Sequence, residues 1–177
     1  MEFKYQVAIS FASENQVLAE KVYHYLKAEN IVAFFSPMPE CQALISGLNQ
    51  REAFYRIFGI ESEYAVLLIS QHYLLKCVPM EEASIAFSKR GSEGKVIPIY
   101  LDNAALPTEL LNPQQVNYFR SNNPAAIASH IAAKINNGLK QPPKSSHNSS
   151  GKNVMNISNN TAGTQIFINH LEDGMQK

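Results

Sequence analysis

Tyr64 to Phe87 reads YAVLLISQHYLLKCVPMEEASIAF. It opens on Ala65-Val66-Leu67-Leu68-Ile69, a continuous apolar run without polar alternation. Such a run suits a strand covered on both faces, at the centre of a parallel sheet flanked by helices. Ser70 ends it, and a short loop leads to Pro79, which suits the first turn of a helix because its missing N–H is not needed there. Glu81 and Glu82 are expected in that first turn, where the helix dipole favours carboxylates. Acidic side chains just beyond the C-terminal end of a buried strand lie where open α/β sheets keep their ligand crevice.

Outward from this stretch, strands and helices alternate. Tyr5–Phe11 is a first strand. Gln16–Ala28 is a helix with Val17, Leu18, Val22, Tyr25 and Leu26 on its inner face. Ile31–Phe35 is a second strand, and the prolines at 37 and 39 predict a loop running to about Leu44. Asn49–Gly59 reads as a helix with Phe54, Ile57 and Phe58 inward. Val96–Leu101 is a further buried strand, and Val116–Phe119 a short edge strand. Asn123-Pro124 starts a last helix, with Ile127, Ile131 and Ile135 recurring every four residues and Asn137-Gly138 ending it. The alternation implies a flavodoxin-like, doubly wound α/β domain over residues 1–137, with a five-stranded parallel sheet and helices on both faces.

After Gly138 the composition changes. Residues 138–153 have almost nothing apolar and read as a flexible linker. Residues 154–177 return to β-prone alternation around Asn159-Asn160-Thr161-Ala162-Gly163-Thr164. The plain reading is a disordered tail or a packed edge strand; the sharper one is an assembly motif that stacks across chains.

The 177 residues are 45% apolar, with Lys+Arg and Asp+Glu both at 15. That balance provides no basic field for nucleic acid or anionic lipid. No apolar run reaches bilayer length and no secretory leader opens the chain, so a cytoplasmic, non-membrane protein is expected. Cys41 and Cys77 are far apart, without CxxC or His at ligand spacing. Two reduced, buried thiols are expected, and no metal site. No GxGxxG or Walker-type loop follows any strand, which argues against a dinucleotide oxidoreductase or a P-loop NTPase. A response-regulator receiver would need acidic residues where Ser10-Phe11-Ala12 and Ser70 stand.

Taken together, these stretches resemble a bacterial-type TIR (Toll/interleukin-1 receptor) domain. VAISFASENQVLAEKVYHYLKAENIVAFF resembles the family's opening strand, first helix and second strand leading into the BB loop. Ser70-Gln71-His72-Tyr73, then Lys76, Pro79 and Glu82, resembles its Ser-x-x-Tyr, Lys, Pro, Glu series, and VIPIYLDNAALP its fourth strand and loop. The sequence departs from the pattern at Val78, where the family has an aromatic, at Ser36, where it has an acid, and at Ser46, where it often has glycine.

Many TIR domains cleave NAD⁺; others are signalling scaffolds. The resemblance implies an NAD⁺ glycohydrolase with Glu82 catalytic, giving nicotinamide and ADP-ribose or a cyclic variant. NAD⁺ is then the substrate, with no resident cofactor. Ser10, Phe11 and Ala12 would line the nicotinamide-ribose pocket, Phe35, Ser36 and the loop to Ser46 would cover it, and Ser70 and Tyr73 would offer hydroxyls. An aromatic at a strand end, such as Phe11 or Phe35, is more often plain core, and a Glu pair early in a helix is common on any helix. The resemblance further implies an immune or antiphage effector activated by self-association through the BB loop, with the tail a candidate aid, and other TIR or sensor proteins as partners. The alternative is an inactive TIR adaptor acting through TIR–TIR contacts around Pro37-Met38-Pro39.

Overall fold

The computed structural model describes residues 3–110 and 119–139. Four parallel strands form one sheet in the order β2-β1-β3-β4: β1 Tyr5–Phe11, β2 Ala33–Phe34, β3 Ser62–Ile69 and β4 Val96–Tyr100. β3 is the central strand foreseen from its apolar run, paired to β1 through Ser10↔Leu67 and Phe11↔Leu68 and to β4 through Leu68↔Ile99. Its alternate side chains serve two cores. Tyr64, Val66 and Leu68 pack with Ile97 and Ile99 against α1 (Gln16–Ala28) and α6 (Pro124–Leu139). Ala65, Leu67 and Ile69 pack on the other face with Phe58, Ala83 and Ala86. Every β3 side chain from Tyr64 onward is buried, which explains why the stretch carries no polar alternation.

The sheet has four strands rather than five. Among the described residues the expected edge strand is reduced to a single parallel bridge, Tyr100↔Arg120. Tyr100 donates its N–H to Phe119 O and accepts from Ser121 N, both at 3.0 Å. Residues 116–118 lie outside the described residues, as do the tail assigned to 154–177 and, save its first two residues, the linker assigned to 138–153. The second strand is also shorter than expected, Ala33–Phe34 in place of Ile31–Phe35.

Several helices differ from the sequence reading for local reasons. The loop assigned to residues 36–44 contains α2, Pro39–Ile45, because Pro39 stands in its first turn, where it lacks no needed hydrogen bond. Next, α3 spans Gln50–Arg56 and begins on Asn49, whose side chain accepts from Arg51 N and Glu52 N; a π turn at Ile57–Glu61 follows and buries Ile57 and Phe58. In α1 the buried positions are Ala19, Val22, Tyr23 and Leu26, while Val17 and Tyr25 face solvent. The true stripe, 19-22-23-26, is one helical face; Val17 and Tyr25, of the same residue types as Val22 and Tyr23, fall off it.

Between β3 and β4 lie the short α4, Gln71–Leu74, and α5, Cys77–Arg90. The α5 helix begins two residues before Pro79, so Glu81 and Glu82 sit beyond its first turn, further from the dipole's positive end than the sequence suggested.

α6 runs through Gly138 rather than ending on it. A Cβ on Gly138 would clash with the hydroxyl of Tyr64, so the residue is glycine for close approach, not for capping. Alanine would gain about 0.5–1 kcal/mol of helix preference but overpack against a buried tyrosine at about 1–3 kcal/mol. Gly138→Ala is therefore expected to lower stability by about 1 kcal/mol in urea unfolding, with Tyr64→Phe relieving part of the loss.

Candidate active site

Parallel strands deliver their C-terminal ends to one edge of the sheet. There β1 ends in Ser10 and Phe11, and β3 ends at Ile69, followed by Ser70. Ser10 is on the β1 face that looks toward α5, alongside Ala8, and is 1% exposed. Its Oγ donates to Glu82 Oε2 at 2.5 Å and lies 2.7 Å from Tyr73 Oη. Tyr73 is fully buried and donates its hydroxyl to Pro79 O at 2.9 Å. Residues 63 and 72 positions apart from Ser10 thus converge on one buried hydroxyl.

Glu82 is partly exposed. Burial of its carboxyl raises it from 4.5 to about 8, against the lowering effect of the Ser10 hydrogen bond, with Glu81 adding a smaller upward push. Glu81 itself is paired with Arg51 at 3.1 Å, and no cation pairs with Glu82 among the described residues. Tyr73 is held well above its ordinary value by burial and by the neighbouring Glu82 charge.

Ser70 begins α4, accepting from Tyr73 N at 3.2 Å, and donates to Asn15 Oδ1 at 2.7 Å. This ties the end of β3 to the turn after β1 and fixes the backbone that aims Tyr73 at Ser10.

An open groove of about 570 Å³ lies alongside. Phe11, Ser13 and Gln16 line it from β1 and α1, Ser36, Pro37, Gln42 and Ile45 from the segment after β2, and Lys76 to Pro79 from the start of α5. The volume suits an extended small molecule. Lys76 pairs with Glu14 at 2.8 Å, and this hydrogen bond holds the Glu14 carboxyl down at about 2. Val78, where the sequence departs from the resembled pattern, is 39% exposed in the groove wall.

Of the residues singled out in the sequence, Ser10, Tyr73 and Glu82 meet directly, and Phe11 and Ser36 line the groove. Ala12 is fully buried beneath it, and Ser46 is exposed at the end of α2. Phe35 is 0% exposed, stacked on Tyr23 at 5.2 Å and 22° and tilted against Phe11 at 5.2 Å. Its ring supports the groove residue Phe11 from behind. Cys41 is buried, but Cys77 is exposed at the groove, contrary to the expectation of two buried thiols. Ser13, Gln16, Lys76 and Cys77 were missed as groove residues. For Lys76 and Cys77 the signal was available, since both lie between Ser70 and Glu82 past the end of the central strand.

A family model described as TIR domain matches residues 7–132. The chain is 27% identical over 141 residues to a 3′ cyclic ADP-D-ribose synthase, AaTIR, from Aquimarina amphilecti. That alignment covers 78% of this chain and 41% of the relative, so the chain spans less than half of that protein. Among solved structures, the TIR domain of the Toll-related receptor TRR-2 from Hydra magnipapillata superposes with a TM-score of 0.54 at 16% identity. It covers 76% of this chain and 94% of that one, a likeness of fold. No helix among the described residues is long and apolar enough to cross a membrane.

Proposed function

Because the chain belongs to the TIR domain family, we propose that it cleaves the nicotinamide–ribose bond of NAD⁺, with Glu82 as the carboxylate at the reacting carbon. The observation that carries this reading is the convergence of Ser10 and Glu82 at the C-terminal edge of the sheet, linked through Tyr73 to Pro79 of the groove wall. Nicotinamide leaves as a neutral molecule from a cationic pyridinium, so the departing group needs no general acid. The transition state resembles an oxocarbenium ion. One carboxylate facing it stabilises the developing positive charge and hydrogen-bonds ribose hydroxyls. Phe11 and Ser36 are then groove contacts for the substrate, and Lys76 is the cation nearest to hand for its diphosphate. Water yields ADP-ribose; an atom of the substrate itself yields a cyclic product, the class named for AaTIR.

We extend the reading to an immune effector in the cytoplasm, activated when copies gather through the loop after β2. Its support is the family membership and the exposure of Pro39 and Glu40 in that loop and the start of α2.

The test is NAD⁺ consumption with nicotinamide release by the full chain at high concentration, followed by product identification. The active form is the carboxylate, and burial holds Glu82 near 8. The rate is therefore expected to climb with pH between about 6 and 8 and level off above, roughly tenfold per pH unit on the acid limb. A profile flat from pH 6 to 9 would remove Glu82 from the rate-limiting chemistry. No release even by protein concentrated on beads would leave the adaptor reading, with Pro37-Met38-Pro39 as its contact surface.

A further inference from the structure

Three oxygen–oxygen contacts link four groups in a line: Glu82 carboxyl, Ser10 Oγ, Tyr73 Oη and Pro79 O. Each contact needs one hydrogen. The serine and the tyrosine bring one each, and Pro79 O can only accept. If Glu82 is ionised, two hydrogens serve three contacts. One contact then goes without: Ser10 Oγ and Tyr73 Oη face each other at 2.7 Å with lone pairs alone, or Tyr73 gives up Pro79, or Ser10 turns to Tyr73 and leaves the carboxylate without its donor. If Glu82 keeps its proton, all three contacts are satisfied: Glu82 donates to Ser10, Ser10 to Tyr73, and Tyr73 to Pro79.

We propose that Ser10 and Tyr73 are positioning residues that form a reversible hydroxyl chain: it runs outward from Glu82 to Pro79 while Glu82 is a neutral acid, and turns inward, Tyr73 to Ser10 to Glu82, when Glu82 ionises. This assigns Ser10 and Tyr73 a role through Glu82 rather than as ligand contacts, and it deepens the NAD⁺-cleaving reading on which its effect on rate rests. Ser10 and Tyr73 are too buried to present their hydroxyls to solvent, at 1% and 0% exposure, whereas Glu82 is partly exposed. The proton lost on ionisation leaves from the carboxyl to water where Glu82 is exposed. No other bond is made or broken.

The charged groups around the chain are few. Ser10 faces Glu82 from β1 and Tyr73 from α4. Glu81 on α5 adds negative charge, offset by Arg51 of α3, and Lys76 beside the groove is occupied by Glu14. The neutral acid is therefore the form the surroundings favour, and a substrate carrying a cationic ring supplies the missing positive charge. Substrate binding and ionisation of Glu82 are coupled in that scheme.

Weighing the hydrogen bonds by charge separates two substitutions, since a bond to the carboxylate counts about twice a neutral one. In Tyr73→Phe the neutral acid loses two neutral bonds and the carboxylate only one, because it keeps the Ser10 bond, so ionisation becomes easier. In Ser10→Ala the neutral acid again loses two, but the carboxylate loses its one side-chain donor among the described residues, worth about the same, so ionisation stays near its native balance. The readout is the infrared carbonyl band of the protonated carboxyl in the full chain, identified as the band that Glu82→Gln removes and followed against pH. Its midpoint is expected about one pH unit lower in Tyr73→Phe, and near the native value in Ser10→Ala and Ser10→Thr. Circular dichroism checks that each variant is folded, and Ser10→Thr keeps the test decisive should Ser10→Ala not be. An unmoved midpoint in Tyr73→Phe, or one raised by a full unit in Ser10→Ala as an isolated Ser10–Glu82 pair would give, overturns the proposal. The band reports without turnover: the expected midpoints in a protein inert toward NAD⁺ would keep the chain and discard the NAD⁺-cleaving reading. Turnover that depends on Glu82 but leaves the Tyr73→Phe midpoint in place would do the reverse.

Discussion

Replacing Glu82 by glutamine is expected to lower nicotinamide release about 10²- to 10³-fold, the usual loss when a group stabilising developing charge is removed, and to raise the melting temperature. The second effect follows from linkage. The carboxyl is held near 8 in the folded protein against 4.5 for an ordinary glutamic acid, so between these pH values the native state keeps a proton that the unfolded chain releases. Its contribution to stability is fully present below pH 4.5 and is lost progressively as pH rises to about 8. One pH unit of such difference is about 1.4 kcal/mol. Allowing for its partial exposure, the native glutamate costs on the order of 2–3 kcal/mol at pH 7. Glutamine cannot ionise in either state, and its amide N–H can donate to Ser10 as the neutral acid does. The variant should therefore match native stability near pH 4.5 and exceed it by several degrees at pH 8. Melting curves at both pH values, beside the nicotinamide assay, check this. Equal melting temperatures at pH 8 would mean that burial does not hold the carboxyl up, and undiminished release would mean that another group does the chemistry.

Phe35→Ala is expected to cost about 3–5 kcal/mol, the range for deleting a fully buried aromatic. The ring is completely enclosed, stacked on Tyr23 of α1 and braced against Phe11. Removing it opens a cavity among these rings and Val22 and Leu26, where the helix and sheet cannot close together without moving α1. Phe35→Leu should lose much less, about 1–1.5 kcal/mol, because it keeps most of the volume. Urea unfolding gives both values. Because Phe11 lines the groove, loss of its backing should also raise KM in the alanine variant more than it lowers kcat. A stability loss under 1 kcal/mol together with a large rise in KM would mean that the ring meets the ligand after all.

The contrast between Phe35 and Ser10 shows what the sequence could convey. The central strand was legible because burial on both faces removes polar residues from Tyr64–Ile69, a signal confined to consecutive positions. Glu82 was legible because it stands at a fixed distance past the end of that strand in a series that resembles a known family. The direction in which Phe35 points depends on the twist at the end of a two-residue strand, and no local pattern records that. The meeting of Ser10, Tyr73 and Glu82 joins residues 63 and 72 positions apart, which only the strand register brings together. Pro39 was taken for a breaker where it opens a helix, and Gly138 for a helix end where it permits close approach; in both, composition was right about constraint and silent about which constraint applied. Lys76 and Cys77 escaped notice because an exposed lysine and a lone cysteine are ordinary until a groove is known to pass beside them.

The two borders of the sheet bear on how copies of this domain can crowd together. One border strand, β2, is two residues long. The other, β4, carries Pro98 at its centre, which has no N–H to offer, and is closed at Tyr100 by Phe119 and Ser121, with Arg120 bonded to Asp102 O and Asn103 Oδ1. Among the described residues neither presents the long row of open donors and acceptors on which a foreign strand could be laid. Were copies of the domain to gather, helices and loops rather than these sheet borders would carry the contacts.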